Sequence, residues 1–97
     1  MKVLIIGGTG LISTGIVEAL KARGATITVF NRGQTDNRLG PDVQQLVGDR
    51  NKFAAFEAAV SVAGPWDVVI DMICFRPDQA ESVVRAFAGQ CGHFIFC

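Results

Sequence analysis

Short, almost purely apolar runs alternate along this chain with longer stretches in which apolar residues return every three or four positions. Val3-Leu4-Ile5-Ile6 is the first such run. A continuous apolar run of that length marks a strand covered on both faces. We place strand 1 at Lys2 to Ile6 and a helix from about Gly10 to Arg23. Ile12, Ile16, Val17, Ala19 and Leu20 form the inner face of this helix, Glu18 and Lys21 point outward, and Gly24 lies just past its end. Ala25 to Phe30 is β-branched and reads as strand 2. Gly33 to Pro41 is a polar loop and Val43 to Val47 a short third strand. Gly48-Asp49-Arg50-Asn51 is a turn, with Asn51 the expected N-cap of a helix reaching about Val62, whose core face is Phe53, Phe56, Ala59 and Val60. Ala63-Gly64-Pro65 stops that helix, and Asp67 to Ile73 is strand 4. Pro77 suits the first turn of a third helix, with Asp78 and Glu81 near its positive end. Its buried face is expected at Ala80, Val83, Val84 and Phe87. Strand 5 begins at His93 and runs to Phe96 or beyond.

Strands alternating with helices in this way build a parallel sheet with right-handed crossovers. The expected fold class is α/β, a doubly wound parallel sheet of order 3-2-1-4-5. Ligands of such sheets sit beyond the carboxyl ends of the strands, at the switch between strands 1 and 4. The chain's 97 residues stop inside an apolar run at Cys97. We therefore expect it to be the N-terminal part of a dinucleotide-binding domain, truncated after the fifth strand, with catalytic and substrate-binding parts elsewhere.

The polar residues at those carboxyl ends carry the candidate chemistry. Gly7-Gly8-Thr9-Gly10 joins strand 1 to the first helix. Glycine accepts positive φ and lets a ligand approach the backbone, and a helix N-terminus offers free N–H groups to a pyrophosphate. Gly7, Thr9, Gly10, Leu11 and Ile12 are the expected phosphate contacts, through the Leu11 and Ile12 amides and the Thr9 hydroxyl. After strand 2, an acid would bind both ribose hydroxyls and repel a 2′-phosphate. The chain has Asn31-Arg32 there instead. A guanidinium binds phosphate through charge-assisted, often bidentate, hydrogen bonds, so NADP is expected over NAD, with NAD still possible. Arg38 is a weaker second candidate. Asp49 follows strand 3, either as an acceptor for the adenine amino group or as an acid ahead of the next helix. Arg50 is included in the cofactor set, although its default reading is a solvated charge. Asp71 sits in an apolar run and should be paired or near the strand end, and Arg76 could pair with it or with a ligand phosphate. Ile73 and Cys74 are expected at the cofactor edge. No neighbour that would activate the Cys74 thiol is evident. His93 and Trp66 fall at the remote end of the sheet, and no metal-ligand spacing occurs.

Composition narrows the classes further. Half the residues are hydrophobic (49%) and only 19% are charged, which fits a packed domain and excludes disorder. Nine basic residues balance nine acidic ones, so nothing predicts general attraction to nucleic acid or to an anionic membrane. No apolar stretch approaches a membrane span, and Lys2 is followed by too few apolar residues for a secretory signal. The three cysteines, without metal or disulfide spacing, suit reduced thiols in a cytoplasmic protein.

The stretches KVLIIGGTGLIS, EALKARGATITVFNRG, GDRNKF, WDVVIDMICF and HFIFC together resemble the extended short-chain dehydrogenase/reductase superfamily, the NAD-dependent epimerase/dehydratase group. The resemblance covers nearly the whole chain and implies a Rossmann-type fold. It also implies that Asp49 is the adenine-binding acid, and that Asn31 stands where NAD-preferring members carry an acid. Ser13 replaces the usual third glycine of the turn, and Met72-Ile73-Cys74-Phe75 replaces the usual Asn-Ala-Gly type sequence, both departures from a standard sugar epimerase. The superfamily's catalytic Ser/Thr and Tyr-x-x-x-Lys pair come after strand 5, and this chain contains no Tyr. The resemblance thus implies the cofactor-holding part of an enzyme acting by hydride transfer on a nucleotide-sugar-like or other hydroxyl/carbonyl substrate. Two relatives mark the alternatives: a non-catalytic NADP-binding regulator, and an RNA-binding member.

Overall fold

The computed structural model describes residues 1–7, 11–32 and 43–96, with 11–14 described by their backbone alone. Eight elements follow in the order β1 (Lys2–Ile6), α1 (Leu11–Ala22), β2 (Thr26–Asn31), β3 (Gln44–Val47), α2 (Phe53–Ala63), β4 (Trp66–Asp71), α3 (Pro77–Phe87) and β5 (Cys91–Phe96). The five strands form one parallel sheet in the order β3-β2-β1-β4-β5, as the alternation of strand and helix patterns requires.

Side chains of a strand alternate between faces, and β1 shows what each face packs against. Val3 and Ile5 join Val17 of α1, Ile27, Val29, Val43 and Ile70 in one core. Leu4 and Ile6 join Phe30, Phe56 and Val60 of α2, and Val83, Ala86 and Phe87 of α3, in the other. The sheet is therefore a middle layer between α1 and the α2–α3 pair. This division follows from right-handed crossovers that run in opposite directions across the sheet, β1 to β2 through α1 one way and β3 to β4 to β5 through α2 and α3 the other. Aromatic edges bind the second core together: Phe30 and Phe56 meet edge-on at 5.0 Å, and Phe56 and Phe87 at 6.3 Å. At the amino end of the sheet, Trp66 is buried and its Nε1 donates to the Val60 carbonyl at 3.0 Å.

Three expectations are corrected here. Val84 is 64% exposed, because the inner stripe of α3 passes through Gln79, Ser82, Val83, Ala86 and Phe87. Ser82 is accommodated there by donating to Glu57 Oε2 at 2.8 Å. Asn51 does not cap α2: the N-cap is Lys52, with no side-chain cap bond. His93 lies inside β5, which starts two residues earlier at Cys91, and it is exposed. Among the described residues, no helix is long and apolar enough to cross a membrane.

Candidate functional site

The carboxyl ends of four strands are tied into one continuous rim by backbone bonds that extend the sheet. Gly48 N–H donates to Asn31 O at 2.8 Å, Gly7 N–H to Phe30 O at 2.7 Å, and Met72 N–H to Ile6 O at 3.0 Å. Gly7 has φ +87°, and a Cβ there would lie 2.9 Å from Ile73 Cγ2. Both the backbone conformation and the close approach exclude a side chain. The rim at β1 is thus backbone on one side and the Ile73 side chain on the other. Four residues after Gly7, α1 begins at Leu11. The amides of Leu11 and Ile12 belong to its first turn, whose N–H groups have no partner within the helix. Gly8, Thr9, Gly10 and Arg38 lie outside the described residues.

At the ends of β2 and β3 the structure brings three of the sequence candidates together. Asn31 closes β2, and its Oδ1 accepts from Gln45 Nε2 of β3 at 2.6 Å. Arg32, 58% exposed, reaches Asp49 Oδ1 at 3.5 Å. Asp49 is held from its own backbone side, since Asn51 N–H donates to the same oxygen at 2.8 Å. That bond and the Arg32 and Lys52 charges hold the Asp49 carboxyl below the ordinary aspartate range. The edge therefore presents a backbone-anchored carboxylate and a solvent-exposed guanidinium. Gln45 carried no sequence signal as a site residue, because a polar residue in a short edge strand looks like any solvated position.

Arg50 departs most from expectation. It is 4% exposed and turned away from solvent, so it is not a surface charge open to a ligand. Its Nη1 lies 2.6 Å from both carboxylate oxygens of Asp71, the fully buried last residue of β4. Nη2 donates to the Gln79 carbonyl at 3.3 Å, and the guanidinium stands 5.6 Å from the Phe56 ring centroid. Its Nε has no hydrogen-bond partner among the described residues. Asp71 takes this partner in place of Arg76, which bonds instead to Asp78 at 3.0 Å and to Asn51 Oδ1 at 3.2 Å. The reason is reach: Arg76 is the N-cap of α3 at the surface, whereas Arg50 enters from the β3–α2 turn beneath it. Gln79, another residue without a sequence signal, closes the network. Its Oε1 accepts from the Phe75 and Arg76 amides at 2.8 and 3.1 Å, and its Nε2 donates to Asn51 Oδ1 at 2.7 Å.

This network shapes the turn after β4. Asp71 Oδ1 also accepts from Ile73 N–H at 3.1 Å, which fixes the residue that packs on Gly7. Cys74 follows, half-buried. Burial raises its pKa and the Asp71 charge adds to the rise, with Arg50 opposing, so the thiol is held protonated. It is not a poised nucleophile.

The NAD dependent epimerase/dehydratase family model matches residues 3–88. The chain belongs to that family. A 2′-dehydrokanamycin reductase of Streptomyces kanamyceticus is 33% identical over 89 residues, a match covering 92% of this chain and 25% of the reductase. A Rossmann-fold NAD(P)-binding family protein from Shigella flexneri superposes with TM-score 0.71 at 24% identity, over 92% of this chain and 46% of that one. The Bordetella bronchiseptica enzyme WbmG, in its complex with NAD, superposes with TM-score 0.70 at 20% identity, over 89% of this chain and 33% of that one. The chain thus spans a quarter to a half of the length of these proteins.

Proposed function

We propose that this chain is the nicotinamide-dinucleotide-holding part of an oxidoreductase or epimerase that acts on a hydroxyl or carbonyl substrate, with NADP preferred over NAD. Residues 1–97 are read as the N-terminal part of its dinucleotide-binding domain. Membership of an NAD dependent family supports the cofactor class, and so does the fit of the rim. Gly7 leaves backbone where a side chain would stand, and α1 begins four residues later, so that its first-turn amides are available for a pyrophosphate. The bound cofactor would supply hydride exchange at its nicotinamide. This chain's own part is binding and orientation: Gly7, Thr9, Gly10, Leu11 and Ile12 at the pyrophosphate, Ile73 and Cys74 along the rim, Asn31, Arg32 and Asp49 at the adenosine end. Arg50 contributes from beneath, by holding Asp71 and with it Ile73.

The observation that carries the NADP preference is the end of β2. It presents an amide and an exposed guanidinium in the position where NAD-preferring members carry an acid. The free thiols of Cys74 and Cys91 support a cytoplasmic setting. The test is a calorimetric titration of the full-length protein with NADP⁺ and NAD⁺, beside an Arg32→Ala variant. Tighter binding of NADP⁺ by about tenfold, lost in the variant, is expected from one charged hydrogen bond of about 1.5 kcal/mol. Equal or tighter binding of NAD⁺ would sink the preference. Binding of neither would sink the cofactor reading and bring the RNA-binding alternative forward.

A further inference from the structure

The ion pair between Arg32 and Asp49 has a bearing on cofactor choice. We infer that Asp49 is a specificity-determining residue: as the resident counter-ion of Arg32, it competes with a ribose 2′-phosphate for the same guanidinium and limits the preference for NADP. The inference rests on the function proposed above.

The two partners are unequal in freedom. Asp49 follows β3 by two residues, and its Oδ1 is bonded to the Asn51 amide at 2.8 Å, so the carboxylate is fixed in place. Arg32 is the first residue after β2 and its side chain is more than half exposed. It reaches Asp49 at 3.5 Å, longer than a well-formed charged hydrogen bond. The guanidinium is therefore a solvent-exposed arm leaning on a backbone-anchored charge. A phosphate arriving at the ribose must draw Arg32 away from that charge. Unmodified NAD does not meet that cost, because its 2′-hydroxyl makes no such demand. Any contact between Asp49 and adenine is common to both cofactors and cancels in the ratio of their affinities.

The test is the NADP⁺/NAD⁺ affinity ratio of the full-length protein and of its Asp49→Asn, Arg32→Ala and double variants, read by calorimetry. Asparagine keeps an oxygen for the Asn51 amide while removing the charge and exchanging the second oxygen for an NH2 donor. The expected result is a ratio raised about threefold to fivefold in Asp49→Asn, the upper range for an exposed ion pair. In the Arg32→Ala background the same substitution should change the ratio by less than twofold. An unchanged or lowered ratio in Asp49→Asn overturns the inference, and so does a full-sized effect without Arg32. Failure of the underlying reading is distinct: there, Arg32→Ala itself leaves the wild-type ratio untouched.

Discussion

Removing Asp71 should cost more than removing any other single charge in the described structure. In Asp71→Ala, the Arg50 guanidinium stays buried at 4% exposure and loses both 2.6 Å contacts from Nη1. Its Nε has no hydrogen-bond partner among the described residues, and the contacts that remain, the 3.3 Å bond to the Gln79 carbonyl, the Phe56 ring and the Cys74 sulfur, carry no compensating charge. Breaking a buried pair from one side costs about 3–5 kcal/mol, because the surviving charge is uncompensated. That is a large part of the ~5–15 kcal/mol that holds a domain folded. With a urea dependence of about 2 kcal/mol per molar, the unfolding midpoint should fall by about 2 M. The double substitution Arg50→Met with Asp71→Leu replaces both charges by apolar groups and should lose less than either single one. Urea unfolding of Asp71→Ala, Arg50→Met, Asp71→Leu and the double variant, followed by fluorescence of Trp66, measures each term. A loss below about 1 kcal/mol in Asp71→Ala would refute the claim that the pair is desolvated, as would a double variant whose loss equals the sum of the singles.

Other consequences are open to measurement. Gly7→Ala forces a side chain into φ +87° and against Ile73, and should cost about 1–3 kcal/mol of stability together with a fall in dinucleotide affinity measured by calorimetry. Phe56→Ala empties the centre of the α2–α3 core and should cost about 3–5 kcal/mol by urea unfolding. Glu57 is held below the ordinary glutamate range first by the Arg85 hydrogen bond and then by Ser82. Its stabilisation is therefore complete above the ordinary glutamate value and disappears as pH falls through the lowered one, so Glu57→Gln should flatten the acid side of the stability curve. Cys74, with its pKa raised by burial and by Asp71, should react with a thiol reagent at pH 7.5 more slowly than a free cysteine peptide; equal rates would contradict the packing of the β4–α3 turn.

Much of the fold follows from local features of the sequence. Val3-Leu4-Ile5-Ile6 has no polar residue to place on a wet face, and Gly7, Gly24 and Gly89 stand where the backbone takes positive φ. Such signals depend on residues a few positions apart, so the elements and their parallel order were legible before any contact was known. The same holds for the rim, since the ends of parallel strands must share one edge of the sheet. What the charged residues do along that rim depends on partners far away in the sequence. In GDRN, Arg50 has the composition of a solvated turn, and only Asp71, 21 residues on, with Phe56 and Gln79 around it, makes burial tolerable. Arg76 was nearer to Asp71 in sequence but lies outside it in space. Asn51 has the chemistry of a helix cap, yet the packing of α3 against α2 turns its oxygen toward Gln79 and Arg76. Arg32 and Asp49 were each legible as site residues, but their meeting depends on β3 lying beside β2. The hydrophobic pattern determined the architecture because apolar burial is non-directional and needs only a face. The ion pairs were decided by tertiary structure because a buried charge needs one particular partner, at one distance, in one orientation.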